Sequence, residues 1–168
     1  DMAIQMTHKL RYLSMAGGFL LSVLLLFVYP LLLFVIAQIF KTKLNYAKAL
    51  RLIIYCLPVI VIGDLLNTAF VYHSGIDNLT SMYDTMLTGA NRLTSIENAG
   101  TVLYMFLYNI NPFQIGFVIL LVIGFKLYTD SGWTKSWIVC MIYWLTVTFF
   151  PIFTTCYSQM LTANKGLM

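Results

Sequence analysis

The chain has 168 residues, of which 60% are apolar and only 10% charged, with a net charge of +4. Soluble domains carry roughly a quarter of their residues charged, so ten basic and six acidic side chains cannot clothe a water-soluble protein of this length. The basic excess does not mark a nucleic-acid binder either, because it sits in short clusters at the ends of apolar runs.

Those runs define the fold class. Lipid gives the backbone no hydrogen-bond partner, so an apolar run of spanning length must be helical unless the chain alternates like a barrel strand. Nothing here alternates over ten residues. The expectation is an all-α, polytopic transmembrane bundle forming one membrane domain over residues 1–168.

Residues 1–16 are mixed, with His8, Lys9 and Arg11 ahead of the first apolar run. That run, Gly17 to Phe40, carries no charge and is predicted as the first span, with Pro30 inside it. It is too long for the apolar part of a secretory signal, and no small-residue cleavage site follows. The connector 41–51 holds Lys41, Lys43, Lys48 and Arg51. A second span is predicted over Leu50–Tyr72, with Pro58, Gly63 and one acid, Asp64.

The polar stretch from His73 to Gly100 includes Asp77, Asp84, Arg92 and Glu97. Within it Leu79, Met82, Met86, Ala90, Leu93 and Ile96 recur at three- and four-residue steps, the pattern of a surface helix with a weak apolar stripe. Residues 101–110 are apolar but too few to cross, so they read as a short interfacial or re-entrant helix that Asn109, Asn111 and Pro112 terminate. The third span is predicted over Pro112–Tyr128 and the fourth over Trp133–Tyr157, the latter opened by two belt tryptophans, Trp133 and Trp137.

Lysine and arginine are dense in 41–51 and 126–135 and sparse in 73–111 and after residue 157. The positive-inside rule then puts the dense loops in the cytosol and makes 73–111 an extracytoplasmic loop. Lys9 and Arg11 fall on the other side in that arrangement, which suggests a further span ahead of Asp1.

Three stretches resemble Yip1-domain proteins: residues 44–58 (LNYAKALRLIIYCLP), 109–124 (NINPFQIGFVILLVIG), and the loop and span over 128–144. The match runs through residues 17–157. It departs from the family pattern where Gln114 or Gly116 takes the usual Trp position and a proline precedes Phe113. The resemblance implies an integral membrane protein, and the small size, tiny loops and lack of a catalytic constellation point to a non-enzymatic one. Eukaryotic relatives are five-span Golgi and ER proteins that associate with Rab GTPases through an N-terminal cytosolic region; bacterial relatives are inner-membrane proteins. The tiny connectors point to the bacterial kind, in an inner membrane.

Asp64 is the sharpest chemical feature. With a span starting at Leu50 it lies roughly 21 Å along the axis, and a carboxylate at that depth should face the bundle interior, paired or protonated. Asn67 and Thr68 lie one turn on. Asp64, Asn67, Asn109, Asn111 and Gln114 are therefore read as an intramembrane polar site: a structural clasp, an ion or proton site, or a contact with a partner helix. Lys41, Lys43, Lys48 and Arg51 form a basic loop that sets topology or meets anionic headgroups.

Other chemistry is thin. Cys56, Cys140 and Cys156 lie in apolar runs without a CxxC pair and read as small buried hydrophobes. His8 and His73 have no ligand-spaced neighbours, and there is no phosphate-binding glycine loop, HExxH or GxSxG. No cofactor, metal or catalytic residue is expected. Asn78-Leu79-Thr80 is a glycosylation triplet in the outer loop. The expected partners are the lipid bilayer and other membrane proteins or a second copy, with the chain acting as scaffold or accessory subunit. The rival reading is a small transporter or channel subunit built on Asp64.

Overall fold

The computed structural model describes residue 20 and residues 23–74, 89–93 and 96–165. Among these residues there is no strand. The elements are α1 (Val23–Ile39), α2 (Tyr46–Ser74), a short 3-10 turn (Ala90–Leu93), α3 (Ile96–Tyr108), α4 (Pro112–Thr129) and α5 (Trp133–Lys165). Three of them, α2, α4 and α5, are long and apolar enough to cross a membrane. The four expected spans are thus matched by three helices of crossing length, with the described part of α1 apolar but shorter. The surface helix expected over 79–96 and the Asn78 triplet fall mainly or wholly outside the described residues, as do the charges before Gly17.

Local chemistry sets the boundaries. At the end of α1, Lys41 takes a left-handed conformation (φ 52°). Its N–H donates to the Gln38 carbonyl at 2.9 Å, and the Thr42 N–H donates to that of Ala37 at 3.0 Å. This is the paired closure of a Schellman end, which satisfies carbonyls the helix leaves open. The Thr42 hydroxyl adds a second bond to the Ala37 carbonyl at 2.8 Å, and Gln38 Nε2 reaches forward to the Leu44 carbonyl at 2.8 Å.

Asn45 then caps α2, its Oδ1 accepting from the Lys48 N–H at 2.8 Å. The cap starts the helix at Tyr46 rather than at Leu50. Lys48 and Arg51, read in sequence as loop residues, therefore stand on its first turns. Asn111 caps α4 in the same way, accepting from the Gln114 N–H at 2.9 Å. Pro112 takes the first helical position, where its missing N–H costs nothing.

Two other boundaries differ from the sequence reading. α3 starts at Ile96, but Gly100 breaks its helical run with φ 71° and ψ 158°, a combination essentially restricted to glycine. The apolar segment that begins at residue 101 is thus a separate helical piece, as its composition suggested. α5 continues past Tyr157 to Lys165, because no proline or glycine interrupts the chain before Gly166.

The turn between α4 and α5 is held by hydroxyls. Thr129 Oγ1 donates to the Phe125 carbonyl at 2.7 Å and lies 2.7 Å from Ser131 Oγ. Ser131 Oγ in turn lies 3.0 Å from Ser136 Oγ, which donates to the Gly132 carbonyl at 3.1 Å. Ser136 is fully buried, so this relay satisfies groups that water does not reach.

α2 and α4 pack antiparallel, and three glycines fix their register. A Cβ built on Gly63 would lie 2.7 Å from Phe113 Cγ, one on Gly116 would lie 3.4 Å from Val59 Cγ1, and one on Gly124 would strike Leu52. Small residues let membrane helices approach closely, and Gly116 and Gly124 share one face of α4 as their eight-residue spacing implies. Lys48 Nζ closes the pair at its other end, donating to the Tyr128 carbonyl at 3.2 Å. Residue 48 is therefore level with 128, and residue 63 with 113. The last ten or so residues of α2 run about 15 Å past the start of α4.

A single apolar core joins α1, α2, α4 and α5. It includes Leu33, Ile36 and Ala37 from α1, Leu52, Ile53 and Cys56 from α2, Leu121, Val122 and Phe125 from α4, and Val139, Cys140 and Tyr143 from α5. Cys56 and Cys140 are free thiols in this core. The core occupies the half of the bundle near the lysine-bearing connectors, here called the basic end; the other end is called distal.

Candidate functional site

The distal half holds the residues expected to form the polar site, Asp64, Asn67, Asn109, Asn111 and Gln114. By the α2–α4 register, Asp64 stands level with Pro112 at the very start of α4, so it lies at the rim of the pair rather than deep along it. Its direction also differs from expectation. Gly63 faces Phe113 and Asn67 is buried, whereas Asp64 is exposed on the flank between those positions. The physical reason is the 100° step per residue: the face that Gly63 turns to α4 carries Asn67 one turn on, and Asp64 is rotated off it.

The expected constellation therefore divides in two. Asp64, Asn67, Thr68 and Val71 line an open notch of about 330 Å³ whose far wall is Tyr108. The Thr68 hydroxyl turns back to the Asp64 carbonyl at 2.8 Å, a one-turn bond that leaves the carboxylate out of it. Asn109 and Gln114 line a separate cavity of about 360 Å³ between the helices. Asn111 joins neither. Its side chain is spent on the backbone, Oδ1 capping α4 and Nδ2 donating to the Tyr108 carbonyl at 3.3 Å. No hydrogen bond from the Asp64 carboxylate to Asn109, Asn111 or Gln114 occurs among the described residues.

The cavity is built by all five α-helices and the turn before α4. α1 gives Tyr29, α2 gives Ile53, Leu57 and Ile60, and α3 with its following turn gives Met105, Tyr108 and Asn109. Beyond Gln114 and Phe117 from α4, its α5 wall includes Tyr143, Trp144, Thr148 and Thr155. α3 is held there by rings: Phe106 stacks on Phe149 at 5.4 Å between centroids and meets Trp144 edge-on at 6.3 Å. Asn109 Nδ2 donates to the Met105 carbonyl at 3.0 Å, and the Ala90 N–H donates to the Ile110 carbonyl at 2.9 Å, tying the 3-10 turn to the same corner.

A smaller cavity of about 200 Å³ lies beside the first. Asn109, Gln114 and Trp144 line both. The indole Nε1 of Trp144 is buried and has no hydrogen-bond partner among the described residues. Sequence reasoning passed over Trp144 and its neighbour Tyr143. The available signal was position, because both fall in the middle of an apolar run, away from the interfacial belt that aromatics with a polar tip prefer.

At the basic end, Lys41, Lys43 and Arg51 are exposed, while Lys48 is half-buried by its bond to Tyr128. Lys126 lies 4.0 Å from the centre of the Trp133 ring, a cation–π contact. No group of three or more His, Cys, Asp or Glu side chains that could hold a metal occurs among the described residues.

No family model, curated protein or solved structure matches the chain.

Proposed function

We propose that this chain is a non-enzymatic, four-span membrane protein that acts as a scaffold or accessory subunit through helix contacts inside the bilayer. The observation that carries this reading is the closed apolar core. Between the distal polar residues and the basic end, Leu33, Leu52, Leu121, Val122, Phe125 and Val139 are all 0–2% exposed. Among the described residues these side chains leave an ion arriving at Asp64 no polar path through that layer, which weighs against the rival reading of a transporter or channel subunit. The outward-facing carboxylate supports the same conclusion. Ionisable groups in membrane helices normally pair with a partner, and Asp64 on the α2 flank suits a partner helix bearing a basic or hydrogen-bond-donating side chain.

α1 serves as the fourth span in this reading. It is apolar and its Leu33, Ile36 and Ala37 sit in the common core. The basic end faces the cytosol, with Lys41, Lys43, Lys48, Arg51, Lys126 and Lys135 gathered there. A Yip1-like identity in a bacterial inner membrane rests on the sequence resemblance of residues 44–58, 109–124 and 128–144 alone.

The test is cross-linking in native membranes followed by mild-detergent isolation of the full chain. A second membrane protein or a second copy should co-isolate, and Asp64→Leu should reduce its yield. Isolation as a lone monomer, or ion flux in reconstituted vesicles that Asp64→Asn abolishes, refutes the scaffold reading.

A further inference from the structure

We propose that the groove between α4 and α5 binds an anionic phospholipid, with the phosphate at the Lys126 ammonium and an acyl chain along the groove. This goes beyond the scaffold reading and does not depend on it.

Sequence spacing builds the groove. Ile115, Ile119, Val122 and Lys126 follow at steps of four, three and four residues, so they share one face of α4. Trp133, Trp137, Met141 and Trp144 form the matching stripe on α5. The smaller cavity of about 200 Å³ lies between the stripes, with Ile115, Ile119, Trp137 and Met141 in its walls and Asn109 and Gln114 at its distal end. Those four wall side chains are exposed, whereas Val118 between them is buried. The groove therefore opens sideways onto lipid and is floored by the core. A stretch of acyl chain fits such a space, and a crossing helix about 10 Å across does not enter it.

Charge selects the headgroup. Lys126 stands two turns from Ile119, about 10 Å along the axis, and its Nζ lies 4.0 Å from the centre of the Trp133 ring. That contact bridges α4 to α5 across the basic end of the groove. Among the described residues no carboxylate pairs with Lys126, so its ammonium keeps N–H donors for a phosphate oxygen. The surroundings favour net negative charge. Lys41, Lys43, Lys48, Arg51 and Lys135 stand at the same end, against Asp130 as the one acid there among the described residues. A phosphatidylcholine carries its own cation into that field, and a phosphatidylglycerol does not. Trp133 and Trp137 mark the level at which aromatic rings meet headgroups, which sets the phosphate beside Lys126 and the chain deeper, against Ile119.

The experiment is native mass spectrometry of the full chain released from neutral-detergent micelles after incubation with equimolar dioctanoylphosphatidylglycerol and dioctanoylphosphatidylcholine. The phosphatidylglycerol should be retained at 1:1, at least fivefold over the phosphatidylcholine. Lys126→Gln should cut its retention at least threefold, and Lys126→Arg, which keeps the charge, should not. Lys43→Gln and Lys135→Gln remove cations from the same end but not from the groove, and each should leave retention within twofold of the parent. Ile119→Trp fills the groove and should cut retention at least threefold, whereas Leu127→Trp, on another face of α4, should not. Equal retention of the two lipids, a preference that survives Lys126→Gln, or parent-level retention by Ile119→Trp overturns the site. A loss in Lys135→Gln as large as in Lys126→Gln overturns it too, because the attraction is then a diffuse field. Should Ile119→Trp lower the Tm, Met141→Trp decides in the same two directions.

Discussion

Replacing Gly63 by alanine tests the α2–α4 register directly. The added methyl carbon would stand 2.7 Å from Phe113 Cγ, 2.8 Å from Cδ2 and 3.0 Å from Cβ. Carbon pairs sit comfortably at about 3.5–4.0 Å, so the neighbour must retreat by about 0.8 Å. Cβ and Cγ are the stem of the side chain, and a rotamer change does little to move them. Phe113 itself belongs to the first turn of α4, which the Asn111 cap and Pro112 hold. Overpacking of this kind costs about 1–3 kcal/mol, against a gain of about 0.5–1 kcal/mol for removing a mid-helix glycine. The net expectation is a loss of about 1–2 kcal/mol, or about 5- to 30-fold in the folded-to-unfolded ratio.

Gly116→Ala is the internal control. Its new carbon would meet Val59 at 3.4 Å, an ordinary contact, so the substitution should be neutral or stabilising by up to about 1 kcal/mol. Reversible unfolding in mixed micelles, titrated with SDS, reads both. Adding Phe113→Ala to Gly63→Ala should recover at least about 0.5 kcal/mol in a double-mutant cycle. Equal effects at Gly63 and Gly116, or a Gly63→Ala protein as stable as the parent, would refute the register and the placement of Asp64 derived from it.

Asn111→Ala removes the cap of α4 and a bond to the Tyr108 carbonyl, so it should cost about 0.5–2 kcal/mol in the same titration, with Asn111→Ser recovering much of it. Ser136→Ala breaks the hydroxyl relay at its fully buried member; a lower Tm by the equivalent of about 1 kcal/mol is expected, and no change would mean that the relay is not formed. Asp64→Asn, on an exposed flank, should leave unfolding within about 0.5 kcal/mol of the parent. A larger loss would show the carboxylate to be buried against a partner within the chain.

The ends of elements were legible in sequence wherever backbone chemistry announces them. Asn-Pro at 111–112 placed the start of α4 to the residue, and the Thr-Asp-Ser-Gly stretch at 129–132 placed the turn before α5. The start of α2 was missed because Lys48 and Arg51 look like loop residues, although Asn45 could have been recognised as a cap. Which way Asp64 faces was not legible at all. α2 is apolar around most of its circumference, so hydrophobic periodicity cannot separate the side packed on α4 from the side turned outward. That choice rests on one close approach, Gly63 to Phe113, between residues fifty positions apart. The division of the polar residues followed from it: Asn67 buried, Asp64 exposed, Asn109 and Gln114 in a cavity whose aromatic wall no motif marks.

The short α4 has a consequence for the surrounding bilayer. Its eighteen residues span about 27 Å, slightly less than the ~30 Å of a typical hydrocarbon layer, and polar residues bound it at both ends. The helices packed against it, α2 and α5, are 29 and 33 residues long and can tilt to match a membrane of any ordinary thickness, whereas α4 is pinned by its caps. Hydrophobic mismatch therefore falls on one face of the protein. Lipid beside α4 must thin while lipid beside α2 and α5 need not, and that asymmetry favours membranes of below-average thickness and gives the protein a preferred side for drawing in short-chain lipids.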